Sequence, residues 1–214
     1  MATDPKDVVW HPEVVSAATQ ATLCVLRDAG LLKGAYLAGG TALALHLGHR
    51  LSLDLDFFVN ELLDEEALLQ RFQKVPGGSL VAKAPQTLHA NIQGTKISFL
   101  GYQYPLLFPH VTFDGVPVAD FRDIACMKIS AIASRGTKRD FIDLYFAARQ
   151  FGLAELLRLF DRKYARTGYN RVHILKSLVF FDDAEKDPLP HMLIPLDWEA
   201  VKPFFQHQVA NLGI

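Results

Sequence analysis

Residues 38–59 read AGGTALALHLGHRLSLDLDFFV, and this stretch decides how the rest of the chain is placed. A glycine pair, Gly39-Gly40, joins a short apolar run, Ala35 to Ala38, to a segment from Thr41 to Leu47 whose apolar spacing suits a helix. The stretch ends in Asp54-Leu55-Asp56 followed by Phe57, Phe58 and Val59, which suits a strand within a sheet. Side chains on a strand alternate faces, so Asp54 and Asp56 project to one side while Leu53, Leu55 and Phe57 project to the other.

Two carboxylates on an otherwise apolar strand repel each other unless a cation or a bound proton compensates them. Carboxylate oxygens at this spacing suit Mg²⁺ (or Mn²⁺), which keeps waters and is shared with substrate phosphates. The Gly39-Gly40-Thr41 turn fits the same chemistry. Backbone N–H groups at a helix start attract phosphate, glycine permits close approach, and the Thr41 hydroxyl is placed to cap the helix or touch a phosphate. Taken without the aspartates, the turn is an ordinary tight one. His49 and Arg50 are expected to close the helix, with Arg50 free to meet a phosphate or Asp54. His46 and His49 lie one helical turn apart, but no Cys or third His stands near them in sequence, which argues against zinc.

The Gly-Gly-Thr turn, helix and Asp-x-Asp strand together resemble the first motif of the DNA polymerase β-like nucleotidyltransferases. Within that superfamily, GGTALALHLGHRLSLDLDFF is most similar to the AbiEii/AbiGii toxin family. A second block, in which Lys128 and Arg135 precede KRDFIDL at 138–144, resembles that family's second motif. The resemblance implies an α+β (mixed α/β) fold, with a nucleotidyltransferase-like sheet domain over residues 1–118 and a helical domain over 119–214. It implies Mg²⁺-dependent, two-metal transfer of a nucleotide from an NTP to an acceptor hydroxyl, with RNA and tRNA 3′ ends as acceptors in part of the family. It also implies the toxin half of a toxin–antitoxin or phage-defence (abortive infection) pair, with a cognate antitoxin as partner and neither membrane nor DNA.

By the same resemblance, Asp54 and Asp56 hold the metal, and Gly39, Gly40 and Thr41 cradle the β- and γ-phosphates. Arg50 and Arg135 meet the nucleotide, Lys128 neutralises the triphosphate, and Asp140 or Asp143 faces the cleft, with Asp140 preferred as an extra carboxylate. Polymerase β-like enzymes often take a third carboxylate from a later strand. Here that strand reads KISFLGY (96–102), with Ser98 or Lys96 in the expected neighbourhood. The departure leaves two alternatives open: a transferase acting on protein or a small molecule, and a protein that binds nucleotide or a partner without turnover.

Composition bounds these readings. The chain has 214 residues, 50% hydrophobic and 21% charged, enough for one good core or two small ones. A formal net charge of −1 offers no global attraction to nucleic acid or membrane. Acidic residues cluster before Asp64-Glu65-Glu66, and basic ones crowd the second half from Lys128 to Lys176, suggesting either a phosphate- or RNA-facing half or a solvated helical surface. Two cysteines, Cys24 and Cys126, make no disulfide framework and fit a reducing cytoplasm. The first residues, MATDPKDVVWHPE, lack a basic segment before an apolar run, and no stretch approaches transmembrane length, so a soluble, unexported protein is expected.

Periodicity predicts helices over Pro12–Ala29 and Leu62–Phe72, then strands over Leu80–Ala84, Thr87–Ile92 and Lys96–Tyr102. A proline-bounded linker, 105–109, leads to a strand pair around Asp114-Gly115. Beyond it the chain reads as helices: two divided at Gly136, then Ala154–Tyr164, Asn170–Phe180 and Trp198–Val209, the last capped by Asp197.

Overall fold

In the computed structural model, which describes residues 8–212, a 3-10 turn at Pro12–Val14 precedes helix α1 (Ala17–Asp28). The single helix expected over Pro12–Ala29 is broken because Ser16 is extended and its hydroxyl accepts from the Thr19 N–H, so α1 starts only there. Strand β1 (Ala35–Ala38) runs into α2 (Gly39–Leu47), and β2 (Leu55–Val59) is followed by α3 (Glu65–Phe72), capped by Asp64. Then come β3 (Gly78–Ala84), β4 (Thr87–Ile92), β5 (Thr95–Gly101), β6 (Val111–Phe113) and β7 (Val116–Val118). Helices complete the chain: α4 (Phe121–Ser134), α5 (Lys138–Phe151), α6 (Leu153–Lys163), α7 (Arg171–Ser177), the short α8 (Asp182–Glu185) and α9 (Trp198–Ala210). The expected mixed α/β class holds. The reading of the first residues as no export leader falls largely outside the described ones. No described helix is long and apolar enough to cross a membrane.

The strands form one mixed sheet in the order β3-β4-β5-β2-β1-β7-β6. β2 pairs antiparallel with β1 and parallel with β5, which places the two motif-bearing elements at the sheet centre. Leu55 and Phe57 turn to the buried face, where Phe57 stacks on Phe99 with ring centroids 5.4 Å apart. Asp56 and Phe58 turn to the other. Leu53 departs from the expected alternation: β2 begins only at Leu55, so Leu53 lies outside the ladder and is 64% exposed.

The opposite face of the sheet is covered in part by α4, whose Met127, Lys128, Ala131 and Ser134 look across a cavity at Asp56, Phe58, Ser98 and Leu100. α4 and α5 also pack on α2, so the two motif blocks meet through helix–helix contact. Thr137 caps α5 by accepting from the Asp140 N–H, which fixes the turn at Gly136 between α4 and α5. Beyond α5, Phe141 sits among Phe181, Trp198 and Phe205 and joins the last helices to this core.

The proline-bounded segment is tied down. Asp123, fully buried on α4, accepts from the Leu107 and Phe108 N–H groups and from Lys163, whose ammonium also donates to the Pro105 carbonyl. Lys163 is therefore a buried structural cation and not part of a basic surface. Arg158 pairs with Glu155 and Arg171 with Asp161, whereas Arg162 and Arg166 border a surface cavity beside Tyr104.

Candidate active site

Gly39 takes a left-handed φ of +70° at the exit of β1, the conformation that glycine alone adopts without strain. A Cβ there would stand 3.0 Å from Asp56 Oδ2, so the turn lies against the carboxylate. At Gly40 an added Cβ would collide with Arg50 Nη2. The glycine pair is thus required by two charged side chains behind it. No side chain caps α2, because its N-cap is Ala38.

The Thr41 hydroxyl is not available as a cap or for a phosphate. It is buried, lies 2.7 Å from Ser52 Oγ and donates to the Asp54 carbonyl, which pins the segment leading into β2. Arg50 is not free either. It is buried, donates from Nε and Nη2 to the two oxygens of Asp143 at 2.7 and 2.9 Å, and donates from Nη1 to the Leu51 carbonyl. The helix closes at Gly48, in a left-handed conformation, rather than at His49 or Arg50. His46 and His49 diverge: His46 Nε2 meets the Ala119 carbonyl, and His49 Nε2 meets Asp143 Oδ1 at 2.8 Å.

Asp143 is the hub. Fully buried on α5, it binds His49, Arg50 and, at 2.6 Å, Lys128 Nζ. Burial alone would raise its carboxyl, but Lys128 and Arg50 outweigh that and hold it well below the ordinary range. Burial pushes the His49 imidazole down against the hydrogen bond from Asp143, so a neutral ring donates from Nε2 while the buried Nδ1 is left without a partner.

Asp140 lies one helical turn away and is saturated. It accepts from Lys128 Nζ at 2.9 Å, from Arg135 Nε and Nη2 at 2.8 and 3.0 Å, and from Thr137 Oγ1 at 2.6 Å. Burial is outweighed by Lys128 and Arg135, and its carboxyl is lowered to about 2. As an extra metal carboxylate it has no oxygen to spare, and its position makes it the anchor of the two cations.

Asp54 and Asp56 are the contrast. Ion pairs of the described residues go to Asp140 and Asp143, and none reaches either member of this pair. Burial pushes the Asp56 carboxyl up; a hydrogen bond from Ser98 opposes this and the nearby Asp54 charge adds to it. These two bare carboxylates share a cleft of about 200 Å³ with Gly40, Lys128, Arg135, Thr137, Arg139 and Asp140. Arg139 and Thr137 carried no signal in the sequence; both arrive because the turn at Gly136 faces the cleft. Among the described residues no three His, Cys, Asp or Glu side chains converge as a metal site. Two hard carboxylates that lack a counter-charge fit a divalent cation completed by water and phosphate oxygens.

The described geometry accords with known proteins. The model of the AbiEii family, nucleotidyltransferase toxins of type IV toxin–antitoxin systems, matches residues 22–113 and 102–211. The chain belongs to the AbiEii nucleotidyltransferase toxin family. An uncharacterised protein of Aquifex aeolicus strain VF5 is 40% identical over 186 residues, covering 84% of this chain and 88% of that one. Among solved structures, MenT4, a nucleotidyltransferase toxin of Mycobacterium tuberculosis, superposes with a TM-score of 0.55 at 19% identity, covering 98% of this chain and 90% of its own. The antibiotic-resistance factor ANT(2″)-Ia, solved with adenylyl-2″-tobramycin, gives 0.51 at 13% identity, covering 68% and 98%. At these identities the two structures speak for the fold, which this AbiEii-family chain shares with nucleotidyltransferases.

Proposed function

We propose that this AbiEii-family chain transfers a nucleotide from an NTP to an acceptor hydroxyl on RNA, with tRNA 3′ ends as the favoured acceptor, as the toxin of a toxin–antitoxin pair. One observation carries the reading: two unpaired carboxylates, Asp54 and Asp56, stand in the same cleft as Lys128 and Arg135, whose positions are locked by two saturated ones. The triphosphate lies in this cleft against the Gly39-Gly40 turn. Lys128 has three N–H donors and spends two on Asp140 and Asp143, so one remains for a phosphate. The acceptor oxygen bonds to the α-phosphorus as the bond to the β-phosphate oxygen breaks, and Lys128 and Arg135 meet the charge that builds on the leaving pyrophosphate. Asp54 and Asp56 would hold Mg²⁺ or Mn²⁺, which when bound neutralises phosphate charge and favours ionisation of the acceptor hydroxyl. Division near Val118 into a sheet part and a helical part, a cytoplasmic site of action, a role in phage defence and a cognate antitoxin belong to the same proposal.

The test is incubation of the purified protein with Mg²⁺, each α-labelled NTP in turn, and total cell RNA and protein, with Asp54→Ala/Asp56→Ala as control. Label moving to small RNA, lost in the control, supports the reading and names the base. Label on protein or a small molecule replaces the acceptor. Metal-dependent NTP binding with no labelled fraction favours a binding protein without turnover, the reading that Ser98 in place of a third carboxylate supports.

A further inference from the structure

His89, Ser98 and Asp56 stand in one row across the sheet. The β4–β5 register sets His89 opposite Ser98, and the β2–β5 register sets Ser98 beside Asp56. Residues in register on adjacent strands present their side chains to the same face. All three border one cavity, of about 440 Å³, together with Gly40, Lys128 and Arg135 of the neighbouring phosphate cleft. His89 Nδ1 lies 3.2 Å from Ser98 Oγ, and the Ser98 hydroxyl hydrogen-bonds the Asp56 carboxylate.

Ser98 therefore holds the position next to Asp56 from which a side chain can reach whatever Asp56 holds. A serine there offers a hydroxyl that relays a proton but does not keep one. His89 lies one strand further out and is exposed, so a proton arriving on it has a route to water. The other charged or titratable groups around the imidazole are Asp56, Tyr102, Lys128, Arg135 and Tyr164 in the cavity and Lys96, two residues from Ser98 on the same strand face. On β3, Lys83 alternates to the far face and is held by Glu65 and Glu66. Among these, an imidazole is the group suited to accept a proton near neutral pH and release it again.

Resting on the transferase reading above, we infer that Ser98 and His89 form the proton outlet of the active site. As the acceptor oxygen bonds to the α-phosphorus and pyrophosphate leaves, the acceptor's proton passes to Ser98 Oγ and the Ser98 proton passes to His89 Nδ1. The imidazolium then releases its Nε2 proton to water, and both side chains return to their starting state. His89 is a general base acting through Ser98, which keeps the acceptor hydroxyl and Asp56 in one hydrogen-bonded line.

The test compares wild type, His89→Gln, Ser98→Ala, their double variant and Ser98→Thr, using Mg²⁺, the preferred α-labelled NTP and total cell RNA. Each of the first two single variants is expected to lower kcat by about 10²-fold with KM for the NTP and thermal unfolding unchanged. The double variant is expected to be no slower than the worse single one, because both cut one relay, and Ser98→Thr, which keeps the hydroxyl, restores kcat. The wild-type rate falls at acid pH along a limb that His89→Gln removes. A wild-type rate in His89→Gln, additive losses, or a raised KM with kcat intact overturns the relay alone. A wild-type protein that labels no fraction overturns the transferase reading and the relay with it.

Discussion

Arg50 and Asp143 face each other as a buried fork, with two parallel N–H to carboxylate bonds of 2.7 and 2.9 Å, although they lie 93 residues apart in the chain. The pair joins the first motif block to the second. It also decides Gly40, because the guanidinium occupies the space a Cβ would need.

Removing the charge from Asp143 leaves two buried cations, Arg50 and Lys128, without their shared counter-charge. Asp143→Asn should cost about 3–5 kcal/mol, the scale measured when one partner of a buried pair is lost. Urea unfolding checks this, and a midpoint shift equivalent to less than about 1 kcal/mol would mean that the fork does not hold the two halves together.

Asp56→Asn should abolish nucleotide transfer without loss of stability. The folded-state pKa of Asp56 is raised, so its stabilising contribution belongs to low pH and is lost as pH rises through the folded value. At neutral pH the ionised group therefore works against folding, and the amide should raise the melting temperature by about 2–4 °C, as about 1 kcal/mol does in a domain this size. A variant that melts lower than wild type, or still transfers label, counts against the bare-carboxylate assignment.

Asp140 and Asp143 behave in the opposite sense. Their folded pKa values are depressed, Asp140 to about 2, so the stability they contribute is complete above the ordinary aspartate value near 3.9 and is lost as pH falls towards the folded value. Unfolding free energy measured from pH 6 down to pH 3 should decline, and Asp140→Asn should flatten the decline. An unchanged slope in the variant would show that other carboxylates carry it.

Gly40→Ala should cost about 1–3 kcal/mol and at least about tenfold in transfer, since the methyl group displaces Arg50 from its place behind the phosphate cleft. Gly168→Ala is the control: its φ of +62° strains alanine, yet nothing stands within 4 Å. Equal losses in both variants, by unfolding and by label transfer, would remove the steric argument.

Local pattern carried far into this structure. The Asp54-Leu55-Asp56 alternation, the glycine turn at Gly39, the strand pair around Asp114-Gly115 and the helix break at Gly136 all depend on one residue and its immediate neighbours, so they were legible in the chain. Thr41 and Arg50 were read as ligands because their residue types suit phosphate. A hydroxyl has one proton to donate, however, and the Asp54 carbonyl takes it, while Asp143 takes both arms of Arg50.

His89 gave no local signal, because an exposed histidine alternating with Leu88 and Ala90 is an ordinary strand residue. Its meaning depends on the β4–β5–β2 register, which is set by long-range pairing rather than by neighbouring residues. The sequence by itself determined the elements, the carboxylate pair and the family. Which aspartates are bare and which are saturated was decided only by tertiary structure, because pairing requires burial and partners distant in sequence to meet at hydrogen-bond distance.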